Sequence, residues 1–194
     1  MLKVGLTGGI GTGKSIAGKV FSLMGIPVYI SDIEAKRLMN ENLIIREQLI
    51  AKFGKNVYLR NKQLNRKYLA DIIFNQPDAL KEVNAIVHPV VREDFTKWCE
   101  ANKEAPYVIQ ESAILFDTGL YKNFDKIICI TAQEEVRISR VIKRDKVSEK
   151  SVKERIENQI SEAVKVAKSD YVIYNNSELI IPQIISIDDD LKKV

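Results

Sequence analysis

A glycine-rich segment near the N-terminus has the spacing of a phosphate-binding loop. Residues 8–15 read GGIGTGKS, which fits the pattern G-x-x-x-x-G-K-[ST] between an apolar run and a helical pattern. Glycines let the backbone wrap around phosphate oxygens, and successive N–H groups and the start of the helix point at the anion. The strand–loop–helix setting argues against a chance match, so this segment predicts a site for a nucleoside triphosphate.

Two side chains of the loop have defined tasks in such a site. Lys14 is expected to neutralise the β and γ phosphates, and Ser15 is expected to reach Mg²⁺. The other contacts to the triphosphate come from the loop backbone and the first turn of the helix. The residues of this segment that we predict to bind ATP are Gly9, Gly11, Thr12, Gly13, Lys14, Ser15 and Ile16.

Asp32 follows a second short apolar run, Val28–Ile30, which places it at the carboxyl edge of the sheet, on the side of the phosphate loop. Phosphoryl transfer benefits from a base that orients and deprotonates the attacking hydroxyl, and Asp32 could be that base. Asp also caps helices routinely, and a helical pattern begins near Ile33. The residues alone leave these two interpretations equal.

Two further carboxylates follow a later strand. Glu111 ends the apolar run that begins at Tyr107, as a carboxylate does when it holds Mg²⁺ through water, and Asp117 lies six residues on. Either could be a metal partner, although a surface carboxylate at a strand end is also common.

Three arginines lie on one face of a predicted helix, because Arg137, Arg140 and Arg144 are spaced i, i+3 and i+7. A guanidinium cluster there could close on the triphosphate. The alternative is an ordinary solvated face, with ion pairs to neighbouring acids. The candidate acids are Glu134, Glu135 and Asp145.

The single histidine, His88, precedes Pro89 and lies four residues before Arg92, on the same face if one helix runs through the proline. A proline at a helix start is the ordinary explanation, and a lone histidine is more often structural than catalytic. Cys129 lies in an apolar strand, which predicts a buried, inert thiol, and with Cys99 thirty positions away zinc and disulfide chemistry are not expected.

The elements that would position these residues alternate between strand and helix, which predicts an α/β fold with a mostly parallel five-stranded sheet and helices on both faces. Between residues 137 and 168 the pattern predicts two helices joined near Lys146, with Ser148 as the cap of the second. We expect a core of residues 1–39, 104–133 and 169–194, a helical insertion of about residues 40–103 and a helical lid of about residues 134–168. The predicted strands are Leu2–Thr7, Val28–Ile30, Tyr107–Glu111, Ile127–Thr131 and Tyr171–Tyr174.

Composition limits the classes of function. The 194 residues carry 30 Lys and Arg against 26 Asp and Glu, a net charge of +4, which suits a phosphate-bearing small ligand and falls short of a nucleic-acid binder. No apolar run approaches the length of a membrane helix, and the N-terminal residues lack the pattern of a signal peptide, so we expect a cytoplasmic chain. Residues 188–193 read as a plain solvated tail.

Several stretches together resemble the dephospho-coenzyme A kinases. Leu6–Ser15 is similar to that family's L-T-G-G-I-G-[ST]-G-K-S, and Ser31-Asp32 looks like the end of its D-A-D element, with Asp32 at the second Asp. Ile30 stands where the first Asp is usual. Further matching positions are Gly25, Val28, Asn84, His88, Pro89, Arg92, Arg140, Arg144, Asp145, Gln159, Asp170 and Asn175, whereas Ile16, Ala113 and Asp117 depart from the family pattern.

The resemblance implies transfer of the γ-phosphoryl group of ATP to the 3′-hydroxyl of dephospho-CoA, the last step of coenzyme A synthesis. It implies catalytic roles for Asp32, Lys14 and Arg140, and further ATP contacts from Arg144 and Asn175. Substrate contacts would come from Thr7, Asp32, His88 and Arg92. The loss of the first Asp leaves Ser15 and Glu111 as the metal-side candidates, with Mg²⁺ accompanying ATP.

The phosphate loop is compatible with three other functions. A nucleoside or nucleotide kinase would share the loop and lid but use another acceptor. A GTP-dependent switch usually offers N-K-x-D, whereas the Asn61-Lys62 and Asn102-Lys103 pairs have Leu64 and Ala105 at the Asp position. A nucleic-acid-dependent ATPase has no supporting motif. We expect ATP and dephospho-CoA as partners, neither nucleic acid nor membrane, and a monomer or weak homo-oligomer.

Overall fold

A parallel sheet organises the first of two compact units, which comprises residues 1–30 and 102–194. The computed structural model describes residues 1–193. The strands are β1 (Leu2–Thr7), β2 (Val28–Ile30), β3 (Tyr107–Glu111), β4 (Lys126–Thr131) and β5 (Tyr171–Tyr174). The helices of this unit are α1 (Lys14–Leu23), α6 (Glu134–Asp145), α7 (Glu149–Glu157), α8 (Glu162–Ala167) and α9 (Ile180–Leu191).

The strands lie in the order β2-β3-β1-β4-β5, and all four neighbouring pairs are parallel. Their carboxyl ends therefore share one edge, where Leu6 is paired with Glu111 and Thr7 with Cys129. The α/β fold and the five predicted strands are confirmed. The phosphate loop leaves this edge from the central strand, where ligands of open α/β sheets bind.

Apolar residues bury one face of the sheet under α1 and α9. Leu6 and Ile128 lie under Phe21 of α1 and Ile184 of α9, all without solvent exposure. The tail, in contrast, is not the plain solvated end that its acidic composition predicts. Asp188 is buried in α9, where it accepts a 2.6 Å hydrogen bond from the Tyr107 hydroxyl and pairs with Lys192.

The second unit, residues 31–101, is helical. It begins at Ser31 rather than near residue 40, since α2 belongs to it. Arg37 of α2 pairs within this unit with Glu34, Glu41 and Asp94. The helices are α2 (Ser31–Glu41), α3 (Leu43–Phe53), α4 (Arg66–Asn75) and α5 (Ala79–Ala101).

Residues 134–168 form three helices rather than the two that the sequence predicts. The predicted cap is confirmed, since Ser148 precedes α7 and accepts a hydrogen bond from the Ser151 N–H. The break that the periodicity missed is the turn at residues 158–161, which separates α7 from the six-residue helix α8. None of the helices described within residues 1–193 is long and apolar enough to span a membrane.

Candidate active site

The phosphate loop turns into α1 at Gly13, which caps the helix in the left-handed conformation with φ of 103°. Glycine adopts this conformation without the steric cost of a Cβ atom. The Thr12 hydroxyl and the Lys14 ammonium both donate to the carbonyl of Gly9, at 2.9 and 3.3 Å. The loop is therefore closed on itself, with Lys14 folded across it.

Surrounding side chains leave no room for larger residues in the loop. A Cβ atom on Gly9 would lie 2.5 Å from the Arg137 guanidinium and 2.5 Å from the Glu162 carboxylate. One on Gly11 would lie 2.6 Å from the backbone oxygen of Arg137, at a φ of +81°. Gly11 therefore has no room for a side chain, whereas at Gly9 the ends of two charged side chains fill the space.

Arg140 and Asn175 lie beside the loop. The Asn175 amide donates to the Thr12 carbonyl at 2.8 Å, and Arg140 donates to the Asn175 carbonyl at 2.9 Å. A cleft of about 340 Å³ opens next to them. It is lined by Gly13, Ile16, Val20, Arg140, Asn175, Glu178, Leu179, Ile180 and Ile181. The structure thus brings together the loop and two of the predicted ATP-binding residues outside it.

The other two arginines of the predicted face have different surroundings. Arg137 is buried and donates from Nε to the Ile10 carbonyl at 2.9 Å. Arg144 is exposed and pairs with Asp145, whose pKa it lowers through a hydrogen bond and its charge. The three guanidinium groups therefore have different partners. The ion pair of Arg144 with Asp145 is the one expected if this helix face is an ordinary solvated face.

The candidate metal-side residues lie at the sheet edge and the helix start. Ser15 is exposed in the first turn of α1, and Glu111 is buried where β3 ends beside β1. Asp117 has a structural contact, because its carboxylate accepts a 3.3 Å hydrogen bond from the Ile160 N–H. The Thr7 hydroxyl is fully buried and has no hydrogen-bond partner within residues 1–193.

Three predicted residues belong to the second unit. Asp32 is exposed within the first turn of α2, which begins at Ser31, so it does not precede the helix as an N-cap does. His88 and Arg92 are one turn apart on α5, which runs through Pro89 without ending. Partial burial and the charge of Arg92 lower the pKa of His88, which favours the neutral imidazole.

The sequence did not predict the ion pair between Glu162 and the buried Lys165, a pair that lies next to Gly9 of the loop. Their carboxylate and ammonium are 3.3 Å apart, and the Lys165 side chain is only 1% exposed. The one available signal was the i, i+3 spacing of opposite charges, a pattern that is mostly found on solvated helix faces. Gln159, which the resemblance had matched, accepts a hydrogen bond from the Ile10 N–H at 3.0 Å.

Cys129 provides a test of the described packing around β4. Burial, and next the charge of Glu162, raise the pKa of this thiol to about 12. Because the thiolate is the reactive form, only about 10⁻⁴ of the thiol would be ionised at pH 8. We expect a disulfide reagent to leave the native chain unmodified over the minutes in which a free thiol reacts, since Cys99 is buried as well. Two thiols per chain should react after unfolding in guanidinium. Rapid reaction of the native chain with the disulfide reagent would contradict the described burial.

The comparison with known families decides the assignment of the chain. The family model described as dephospho-CoA kinase matches residues 2–180. The chain belongs to the dephospho-CoA kinase family. It is therefore an enzyme of the kinase class, and the predicted membership of this family is confirmed.

Individual relatives agree with this assignment. Dephospho-CoA kinase from Bacteroides fragilis is 36% identical over 187 residues, covering 96% of this chain and 91% of its own. The Porphyromonas gingivalis enzyme of the same name is 36% identical over 189 residues, with coverages of 96% and 93%. The family match thus extends over both units of the dephospho-CoA kinase fold.

Solved structures share the architecture. Dephospho-CoA kinase from Campylobacter jejuni superposes with a TM-score of 0.75 at 26% identity, covering 98% of this chain and 97% of its own. The structure of TT1252 from Thermus thermophilus gives a TM-score of 0.81 at 28% identity, with coverages of 100% and 97%. Shikimate kinase from Acinetobacter baumannii, with a TM-score of 0.56 at 16% identity, shares the fold alone.

Proposed function

We propose that this chain transfers the γ-phosphoryl group of ATP to the 3′-hydroxyl of the ribose in dephospho-CoA, giving CoA and ADP. The observation that carries the proposal is the closed phosphate loop, with Lys14 across it at the carboxyl edge of the sheet, in a chain of the dephospho-CoA kinase family. In the reaction a bond forms between the acceptor oxygen and the γ phosphorus. The bond from that phosphorus to the bridging β–γ oxygen breaks, and the hydroxyl proton leaves.

The proposed ATP site is the loop with its neighbouring cleft. The loop amides and Lys14 would bind the phosphates, where the ammonium offsets charge on the β and γ oxygens. The adenine would occupy the cleft beside Asn175, which has exposed Ile16 and Leu179 in its lining. Arg140 lines the same cleft, and its guanidinium would turn from Asn175 towards the phosphates to stabilise charge that develops in the transition state.

The proposed acceptor residues come from the second unit. Asp32 would accept the proton of the attacking hydroxyl, because it follows β2, whose carboxyl end shares an edge with that of β1. His88 and Arg92 would bind dephospho-CoA, with Arg92 supplying positive charge and neutral His88 a hydrogen-bonding group. Thr7, whose buried hydroxyl has no partner within residues 1–193, would also contact substrate.

Mg²⁺ is part of this proposal, and the residues present fit it. Such an ion usually retains waters and takes phosphate oxygens, so it needs only one or two protein oxygens. Ser15 in the first turn of α1 and Glu111 at the end of β3 provide a hydroxyl and a carboxylate, which are suitable hard ligands. When bound, the ion would withdraw charge from the β and γ oxygens of ATP.

The lid also remains a proposal, and only part of residues 134–168 would move in it. Arg137 near its start and Glu162 near its end are held against the loop and against β4. Closure over bound ATP, which would exclude water, would then move mainly α7 and its flanking turns. A cytoplasmic location, a monomer or weak homo-oligomer, and the lack of a nucleic-acid partner stay predictions of the sequence.

Transfer of radioactive phosphate tests the function directly. The chain is incubated with γ-labelled ATP and either dephospho-CoA or nucleoside monophosphates, and the products are separated. We expect label in CoA alone. Label in a nucleoside diphosphate with none in CoA would support a nucleotide kinase instead, and a preference for GTP over ATP in direct binding would support a switch protein.

A further inference from the structure

Two adjacent peptide groups of the phosphate loop, on either side of the Ile10 Cα atom, are held by side chains that come from residues 134–168. The Ile10 N–H donates to Gln159 at 3.0 Å, and the Ile10 carbonyl accepts from Arg137 Nε at 2.9 Å. Both the N–H and the carbonyl of Ile10 therefore have a side-chain partner. The orientation of Ile10, and with it the course of the loop, depends on where Arg137 lies.

The position of Arg137 depends in turn on one carboxylate. Its side chain is 4% exposed, and its guanidinium lies 3.8 Å from Glu162 Oε1. The same oxygen lies 3.3 Å from the ammonium of Lys165, which is 1% exposed. A single negative charge thus faces two enclosed positive charges, and a buried cation without a partner is costly.

The carboxylate is itself fixed to the sheet. Glu162 Oε2 accepts a 3.0 Å hydrogen bond from the hydroxyl of Thr131, the last residue of β4. The contact with the loop is tight, because a Cβ atom on Gly9 would lie 2.5 Å from both Arg137 and Glu162. A shift of the guanidinium towards Gly9 would therefore meet the loop backbone.

We propose that Glu162 is a positioning residue for ATP binding, which acts through Arg137 to hold the carbonyl of Ile10 in the phosphate loop. The inference rests on the proposed function, since ATP is the ligand of that loop. Lys165 shares the carboxylate but makes no described hydrogen bond to the loop, so its part is to balance charge and support packing. Arg137 accordingly serves the loop geometry, whereas Arg140 serves the nucleotide.

The test compares Glu162→Gln with Lys165→Met and with the exposed control Glu135→Gln, which loses the same charge from α6. ADP affinity is measured by calorimetry, and the KM for each substrate and the thermal midpoint are measured beside it. We expect Glu162→Gln to weaken ADP binding and raise the KM for ATP by about 10- to 100-fold, since small misplacements of binding groups have effects of this size. The KM for dephospho-CoA should stay within about twofold. Lys165→Met should lower the thermal midpoint while ADP affinity stays within about threefold, because the Arg137–Glu162 pair is intact.

Wild-type ADP affinity in a folded Glu162→Gln variant would overturn the proposal, even with a lower thermal midpoint. Equal losses of ADP affinity in Glu162→Gln and Lys165→Met would overturn the route through Arg137. If Glu162→Gln does not fold, Arg137→Lys decides, since it keeps the charge but lacks the Nε donor to Ile10. It should weaken ADP binding at least about tenfold, and unchanged affinity would refute the proposal. Failure of the wild-type chain to bind ADP would instead refute the proposed function.

Discussion

Replacement of Asp32 by Asn is expected to lower the turnover number by about 10²- to 10⁴-fold, the usual contribution of a general base. Asn has nearly the same size and still forms hydrogen bonds, but it cannot take the proton of the attacking hydroxyl. The position is exposed in the first turn of α2, so the substitution removes no buried contact. ADP affinity should therefore change less than about twofold, because the proposed contact of Asp32 is with the acceptor hydroxyl and not with ADP.

Steady-state phosphate transfer with both substrates saturating measures this effect, and calorimetry with ADP measures the affinity. Glu34→Gln is a matched control, since Glu34 lies two residues further along α2 and pairs with Arg37. The control should retain turnover within about twofold. Wild-type turnover in Asp32→Asn would remove the base assignment and leave Asp32 as a residue of the helix start.

The sheet was predictable because its strands are short apolar runs, each bounded by polar or glycine residues. Leu2–Thr7 and Tyr107–Glu111 have the predicted bounds, and β4 differs by one residue. Both faces of these central strands are buried, so each strand is recognised as a continuous apolar run. Periodicity did not predict the turn at residues 158–161, because this turn is short and charged residues recur on both sides of it, in α7 and in α8.

The partners of charged residues were the least predictable part of the site. The spacing of Arg137, Arg140 and Arg144 correctly placed them on one helix, but it could not assign each an acceptor. Arg137 meets Ile10, which is 127 positions away, and Arg140 meets Asn175, which is 35 away. Such contacts depend on tertiary packing, as does the burial of Asp188 against Tyr107 across 81 positions. Local patterns report exposure of a helix face only on average.

These contacts show that the basic residues of the chain have different surroundings. Lys14 and Arg140 belong to the proposed nucleotide site, whereas Arg137 and Lys165 share Glu162 and Arg144 is paired at the surface. The net charge of +4 therefore does not measure the attraction for ATP. The cations that converge at the carboxyl edge of the sheet are the ones expected to attract ATP. Removal of Lys14 should therefore have a much larger effect than removal of an exposed lysine.

Lys14→Ala is expected to reduce turnover by about 10²- to 10³-fold, the effect of losing one preorganised group that stabilises transition-state charge. The ammonium lies 3.3 Å from the Gly9 carbonyl, which holds it over the loop before ATP binds. Because it meets the phosphates in both ground and transition states, the KM for ATP should rise as well. Lys14→Arg should not restore the activity, since a planar guanidinium cannot replace a compact ammonium in a closed loop.

Lys19→Ala supplies the control for Lys14, because it removes the same charge from an exposed position on the same helix. Its turnover and KM should stay within about twofold of wild type. If net charge alone governed ATP binding, Lys14→Ala and Lys19→Ala would lose equal activity, and both losses would shrink as salt is raised. A loss confined to Lys14→Ala and persisting at high salt is the expected result, because the loop encloses this charge where screening is weak; full transfer activity in Lys14→Ala would refute the assignment of residues 8–15 as the phosphate site.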